Sequence, residues 1–268
     1  MKNGWESFAL QLIDSGFVCP AETPAGIYRN SLLVNSAVAL FLARTQNGKR
    51  LIVLEKKENP LFAEIVAAET GTLHGINYKI VELSHANAVI MRRHIAFMNP
   101  VAFGRDSFSL GLGDRLGLAS PGHLRCLRGT GLRPVLAQQS IRELNLTQRT
   151  YEDVLDAASW AVLQEGFQDG FGADGDHLKK AAEVKMSLDL GFSMITLDCS
   201  EKIDNTIDGL TAAEVARRYA NLAPDLRARA ERDYLGKTFA VGDTAITFSL
   251  EALQRTLLTY GETLAFIK

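Results

Sequence analysis

The sequence predicts an α/β protein: part of a β/α (TIM-type) barrel preceded by a small N-terminal α/β cap domain. Three observations carry this expectation. From about residue 106, apolar strand-like runs alternate with helix-length stretches, the pattern of parallel strands joined by helical crossovers. Four successive runs finish in polar clusters around Asp114, Gln138, Asp174 and Asp198. Right-handed crossovers gather such ends on one edge of a sheet, the edge where barrel chemistry sits. Residues 1–105 lack this beat, which places a domain boundary near residue 105 and assigns 106–268 to the first part of a barrel.

In the first segment, Leu51-Ile-Val-Leu54 and Tyr78-Lys-Ile-Val-Glu-Leu83 read as strands, with shorter runs between Leu32 and Ala43. The apolar stretch Ser31 to Ala43 is too short to cross a bilayer and reads as buried core. His74, His85 and His94 are isolated, with no partner at metal-ligand spacing, and take structural or surface roles. In the second segment, a strand at 107–112 leads to a helix opening near Ser120-Pro121, with Pro at the first helical position. A strand at 134–138 is followed by a helix that Thr150-Tyr-Glu-Asp153 opens as a capping box and Gly166 ends. Val154, Ala158, Ala161 and Val162 share one face of it. A strand at 170–174 precedes a helix at 181–190 stopped by Gly191, and a strand at 192–197 precedes a polar loop. Thr211-Ala-Ala-Glu214 is a second capping box. Val241 to Phe248 is a fifth strand or a hairpin. A last helix runs from Ser249 to Lys268 with no stop signal. A closed barrel needs twice the four strands found, so the chain holds an incomplete barrel or closes its sheet another way.

Of 268 residues, 47% are hydrophobic, so a sizeable core is available. Lys and Arg total 29 against 31 acids, a net charge of −2, which gives no general attraction to nucleic acid. Cys19, Cys126 and Cys199 are too few and scattered for a disulfide framework and form no Cys-x-x-Cys pair. They read as reduced thiols of a cytoplasmic protein. Met1-Lys-Asn-Gly-Trp-Glu opens no signal peptide, and no membrane partner is expected.

The polar clusters carry the candidate chemistry. Gly111-Leu-Gly113-Asp114-Arg115-Leu-Gly117 departs from a dinucleotide fingerprint, because Asp-Arg fills the turn where small residues are needed. Asp114 and Arg115 hold a substrate carboxylate or hydroxyl, or form an ion pair bracing the barrel mouth. Between 105 and 150 there are seven arginines, no lysine and three acids, a local positive field suited to an acidic small molecule. His123 is an acid or base, a hydrogen-bond donor to substrate, or a helix residue without a role. Gln138, Gln139, Ser140 and Arg142 suit recognition of sugar hydroxyls and charge. Asp174-Gly-Asp176-His177-Leu-Lys179 is the densest cluster. It reads as a divalent-cation site or as an acid–base pair with a lysine nearby, and Asp198 is a further ligand or base.

The strings Gly113-Asp114-Arg115-Leu-Gly-Leu-Ala-Ser-Pro121-Gly122-His123, Gln138-Gln139-Ser140-Ile-Arg142-Glu143 and Gly172-Ala-Asp174-Gly-Asp176-His177-Leu178-Lys179 resemble the tagaturonate epimerase family, in order and with compatible spacing over about 106–200. Gly175 departs from the family pattern, where Ala is expected; a small-for-small change should not disturb the site. Members of the family continue further, with acidic and histidine motifs not found here. The resemblance implies an isomerase that interconverts D-tagaturonate and D-fructuronate with a divalent metal (manganese, zinc, nickel, cobalt or iron). Asp176 and His177 would then be metal ligands, and Asp174, Asp176, His177 and Lys179 catalytic. Asp114, Arg115, His123, Gln138, Gln139, Ser140, Arg142 and Asp198 would bind a sugar acid, with Arg115 or Arg142 gripping its carboxylate. Two other readings stay open. One is a different metal-dependent barrel enzyme: a sugar isomerase, a ketose 4-epimerase or an aldolase. The other is an inactive fragment that folds or binds an acidic sugar. An open half-barrel exposes strand edges, which favours a homo-oligomer.

Overall fold

The structure is a computed structural model that describes residues 4–268; the first three residues of the stretch read for a targeting signal lie outside it. The chain divides into two compact units, the first ending at Thr196 and the second Leu197–Lys268. The boundary expected near residue 105 lies inside the first unit, between its two sheets.

The first sheet is antiparallel. After α1 (Gly4–Asp14) come β1 (Ile27–Val34), β2 (Val38–Thr45), β3 (Gly48–Glu55), α2 (Pro60–Glu64), β4 (Ala67–Leu73), β5 (Ile76–Val81) and α3 (His85–His94), and the strands lie in the order β1-β2-β3-β5-β4. Val38–Ala43 of β2 and Leu51–Leu54 of β3 are buried on consecutive positions, because both faces of these central strands are covered. Trp5, Phe8 and Leu12 of α1 pack on Ala39, Phe41, Ile52 and Leu54. Leu40, Leu42, Leu51 and Val53 face the opposite core, which includes Met91 of α3. This is α+β organisation, with neighbours in sequence paired as hairpins.

The second sheet has the order β6-β7-β8-β9, from β6 (Ser109–Gly111), β7 (Arg133–Gln138), β8 (Gly172–Leu178) and β9 (Met194–Leu197). β6–β7 and β7–β8 pair in parallel. Between them run α4 (Ser120–Leu127), α5 (Ile141–Thr147), α6 (Tyr151–Glu165) and α7 (Ala181–Leu190). α6 is the central helix, with all but three of its 15 residues buried. Val154, Leu155, Ala158, Ala161 and Val162 pack with Leu136, Ala137 and Ala173 of the parallel sheet, while Trp160 and Leu163 enter the core of the antiparallel sheet. Each fully buried Val or Leu among these stabilises by about 1.5–3 kcal/mol, so α6 couples the two sheets. Its buried Asp156 is matched by Arg92 of α3 (2.7 Å) and by His85 Nδ1 (2.9 Å). His74 pairs with Asp14 and His94 with Glu64.

The sequence markers act as expected at several ends. Thr150 closes a capping box with Asp153, Thr211 closes one with Glu214, and Gly166 and Gly191 are left-handed caps. Two readings change. Ser140 and Glu143 form a capping box of their own and open α5, a helix the sequence reading passed over. β8 runs four residues further than expected, so Asp176 and His177 lie within a strand instead of on the turn after it.

The second unit holds α8 (Ala212–Ala220), α9 (Pro224–Tyr234), a hairpin of β10 (Thr238–Val241) and β11 (Thr244–Thr247), and α10 (Leu250–Ile267). Of the two possibilities for Val241–Phe248, the hairpin is the one formed. Arg255 of α10 donates to the Ile207 and Leu210 carbonyls (2.9 and 3.0 Å), tying the loop before α8 to α10. Among the described residues no helix is long and apolar enough to cross a membrane.

Candidate active site

A cleft of about 540 Å³ opens at the ends of β6, β7 and β8, lined by Arg115, Leu116, Leu118, Gln138, Glu143 and Asp176 among others. Asp114 builds its wall. Its Oδ1 accepts the Leu118 amide (2.9 Å), and its Oδ2 accepts the Ala119 amide (2.7 Å), the Ser120 amide (2.8 Å) and the Ser120 hydroxyl (2.9 Å). Burial opposes its ionisation, but these bonds outweigh burial and hold the carboxyl below its ordinary range. Asp114 therefore folds the 114–120 loop, and it does not pair with Arg115. Arg115 Nε instead meets Glu143 Oε1 at 2.5 Å, with the guanidinium largely exposed at the cleft.

The Gln-Gln-Ser cluster separates by strand alternation. Gln138 lines the cleft. Gln139 is fully buried; its Nε2 donates to the Arg115 carbonyl and Thr147 Oγ1, and its Oε1 accepts from Arg149. Arg149 also donates to the Asp114 and Asp153 carbonyls. Ser140 is spent as the N-cap of α5. The positive field inferred from seven arginines is thus largely consumed by structure. Arg125 forks onto Glu165, Arg128 donates to the Glu165 carbonyl and Arg133 to the Asp169 carbonyl. Arg142 is exposed on α5, without an ion-pair partner among the described residues.

Asp174 lies beneath the cleft at 0% exposure. Thr196 Oγ1 donates to its Oδ2 at 2.7 Å and Gln138 Nε2 approaches the same oxygen at 3.4 Å. Oδ1 is buried without a hydrogen-bond partner. Burial raises this carboxyl's pKa; the Thr196 hydroxyl opposes and the charge of Asp176 adds. Asp176, two residues along β8 on the same face, reaches the cleft. Its Oδ1 lies 2.7 Å from His177 Nδ1. When Nδ1 carries the proton to that carboxylate, Nε2 is left with a lone pair. His177 is held at φ 56, a left-handed conformation uncommon outside Gly, which stops the strand-like alternation just past Asp176. Tyr151 is buried under the pair with its hydroxyl 3.4 Å from the Asp176 carbonyl. Burial, then the charges of Asp176 and Asp174, push its phenol up.

Lys179 is exposed after β8, its amide bonded to Glu183. His123 is half-buried in the first turn of α4, its Nδ1 without a hydrogen-bond partner. Asp198 belongs to the second unit, where it accepts the Ser200 amide at 2.9 Å. Glu143 and Thr196 were not foreseen as site residues; the Ser140-x-x-Glu143 spacing could have exposed the first, and nothing local marks the second. Gly175 is more constrained than a small-for-small exchange implies. A Cβ there would stand 2.9 Å from Ser187 Oγ and 3.0 Å from Ile195 Cδ1 and Leu178 Cδ1, so Ala requires neighbouring side chains to shift.

Asp176 and His177 offer oxygen and nitrogen donors of the kind divalent cations take. No group of three or more His, Cys, Asp or Glu residues stands ready for a metal among the described residues. The pair thus fits part of a coordination shell, and a complete one needs further donors.

The tagaturonate epimerase family profile matches residues 28–268. The tagaturonate/fructuronate epimerase of Thermotoga maritima is 35% identical over 243 residues, 90% of this chain and 49% of that protein. Two crystal structures of the fructuronate-tagaturonate epimerase of Cohnella laeviribosi, one native and one with glycerol, superpose with a TM-score of 0.83 at 41% identity, covering 99% of this chain and 51% of theirs. The chain spans about half the length of these relatives. It belongs to the tagaturonate epimerase family.

Proposed function

We infer that the chain carries part of the active site of an isomerase that interconverts D-tagaturonate and D-fructuronate, and that its four parallel strands are part of a β/α barrel. The observation that carries the reading is the cleft at the strand ends, with Arg115 at its rim and the Asp176–His177 pair beside it, in a chain of this family.

The two sugar acids differ at a hydroxyl-bearing carbon β to the ketone. Its C–H proton is not acidic, so enolisation cannot invert that carbon. Retro-aldol cleavage can. A base removes the β-hydroxyl proton, that oxygen forms an aldehyde, and the bond between the α and β carbons breaks with its electrons passing to an enediolate. The aldehyde turns its other face, the bond re-forms and the proton returns. His177 Nε2, oriented by Asp176 at Nδ1, is the base that fits this step. Arg115 takes the substrate carboxylate in a two-pronged grip, once Glu143 yields it. Gln138 binds a hydroxyl. Asp114, Gln139, Ser140 and Arg149 shape the wall without touching substrate. A divalent cation held in part by the Asp176 carboxylate would act as a Lewis acid on the ketone, leaving His177 Nε2 to the proton. Arg142, His123, Lys179 and Asp198 have no assigned step. A cytoplasmic location accords with three cysteines that form no disulfide.

The test is carbon NMR of D-tagaturonate with purified chain, with and without manganese. Fructuronate signals should grow only with metal. In an active preparation His177→Ala should lower the rate by about 10²–10⁴-fold, the range of general acid–base catalysis. Full rates for both His177→Ala and Asp176→Ala would refute the assignment of these residues.

A further inference from the structure

A polar row crosses all four strands of the second sheet beneath the cleft. Gly111 of β6 lies under the Gln138 carboxamide: a Cβ at Gly111 would stand 2.5 Å from Gln138 Oε1 and 3.0 Å from Nε2. Gln138 of β7 and Asp174 of β8 are register partners, and Gln138 Nε2 is 3.4 Å from Asp174 Oδ2. That oxygen also accepts the Thr196 hydroxyl of β9 at 2.7 Å. Only the Gln138 end of the row lines the cleft; Asp174 is fully buried.

A glutamine amide has two faces that differ in sign, a donor and an acceptor. A rotating Gln138 would present either to a sugar hydroxyl. Two features remove that freedom. Thr196 fixes which oxygen of Asp174 faces Gln138, and that oxygen accepts, so it selects the NH₂ end. The missing side chain at Gly111 leaves the space in which the amide plane lies. We propose that Thr196, Asp174 and Gly111 are positioning residues that lock the Gln138 amide with Nε2 inward, leaving Oε1 as a fixed acceptor for one substrate hydroxyl. Asp174 thereby moves from the expected catalytic role to one exerted through Gln138. The substrate class rests on the function inferred above; the locked amide does not.

The experiment is a proton–nitrogen correlation spectrum of the full chain labelled with ¹⁵N-glutamine, the Gln138 side-chain pair being assigned by its loss in Gln138→Met. In the parent protein and in Thr196→Ser, which keeps the hydroxyl, the two amide protons should be widely separated and slow to exchange. In Thr196→Val and in Gly111→Ala they should collapse to the values of a free side chain. In an active preparation Thr196→Val should raise KM for tagaturonate roughly tenfold, the scale of one lost hydrogen bond, with a smaller change in kcat and rescue by Thr196→Ser. A collapsed pair in the parent, or a pair unmoved by both Thr196→Val and Gly111→Ala, overturns the proposal. A locked pair released by both variants in a chain without epimerase activity upholds it and discards only the substrate.

Discussion

At the scale of single residues, polar side chains at strand ends divide by whether their bonds are already filled. Asp114 illustrates the filled case. Three backbone amides and one hydroxyl converge on it, and bonds to a charged acceptor are worth about 1.5–3 kcal/mol each. Asn keeps one acceptor oxygen and no charge, so Asp114→Asn should cost about 3 kcal/mol in a urea-unfolding titration. The pH dependence has a definite sign. The folded carboxyl titrates below its ordinary 3.8, so the unfolded chain takes up the proton first. The stabilisation is present above that ordinary value and is lost as pH falls through the folded one. Asp114→Asn should flatten this acid limb; a variant as stable as the parent with the same acid limb would show that the loop does not depend on the carboxylate. Asp174 is the unfilled case, with one buried oxygen unpartnered.

At the scale of elements, α6 is the most consequential, since it faces both sheets of the first unit. Its C-terminal Gly166 adopts a left-handed conformation (φ 57), and a Cβ there would overlap the Asn30 carbonyl of β1. Gly166→Ala combines the left-handed cost of about 1–2 kcal/mol with overpacking of about 1–3 kcal/mol. The midpoint of thermal unfolding should therefore fall clearly, while Gly191→Ala, which meets no neighbour within 4 Å, should cost only the first part. Equal effects would show that contact with β1 adds nothing. Such ends were legible because caps are local chemistry: Thr150, Thr211 and Gly166 announce themselves within four residues. Ser140-x-x-Glu143 obeys the same rule, yet beside Gln138, Gln139 and Arg142 it resembled a recognition cluster, and α5 was lost with it. The pairing of β3 with β5 across α2 and β4 and the row from Gly111 to Thr196 depend on partners distant in sequence. No spacing along the chain encodes them. The Asp-His cluster was legible as a cluster, but which carboxylate stays open to the cleft follows from burial, and Asp174 against Asp176 is decided only when α7 and β9 are in place.

At the scale of the whole molecule, the parallel sheet has edge strands at β6 and β9, and the β6 side is apolar. Phe108, just before β6, is 83% exposed, and Leu110 within it is also open. Exposed apolar side chains at a strand edge favour association, and a net charge of −2 offers little repulsion against it. The chain should therefore self-associate, its weight-average sedimentation coefficient rising with concentration. Because the contact is apolar, added sodium chloride should not dissolve it, unlike an association through surface ion pairs. Phe108→Lys with Leu110→Lys puts two charges on that edge and leaves the Asp114 loop and the Gln138 row intact, so it should return the chain to a monomer without moving the Gln138 amide signals. If the parent sediments as one monomeric species across the range, this apolar edge is satisfied by solvent alone. If it associates but the lysine variant does so equally, the contact lies on another face.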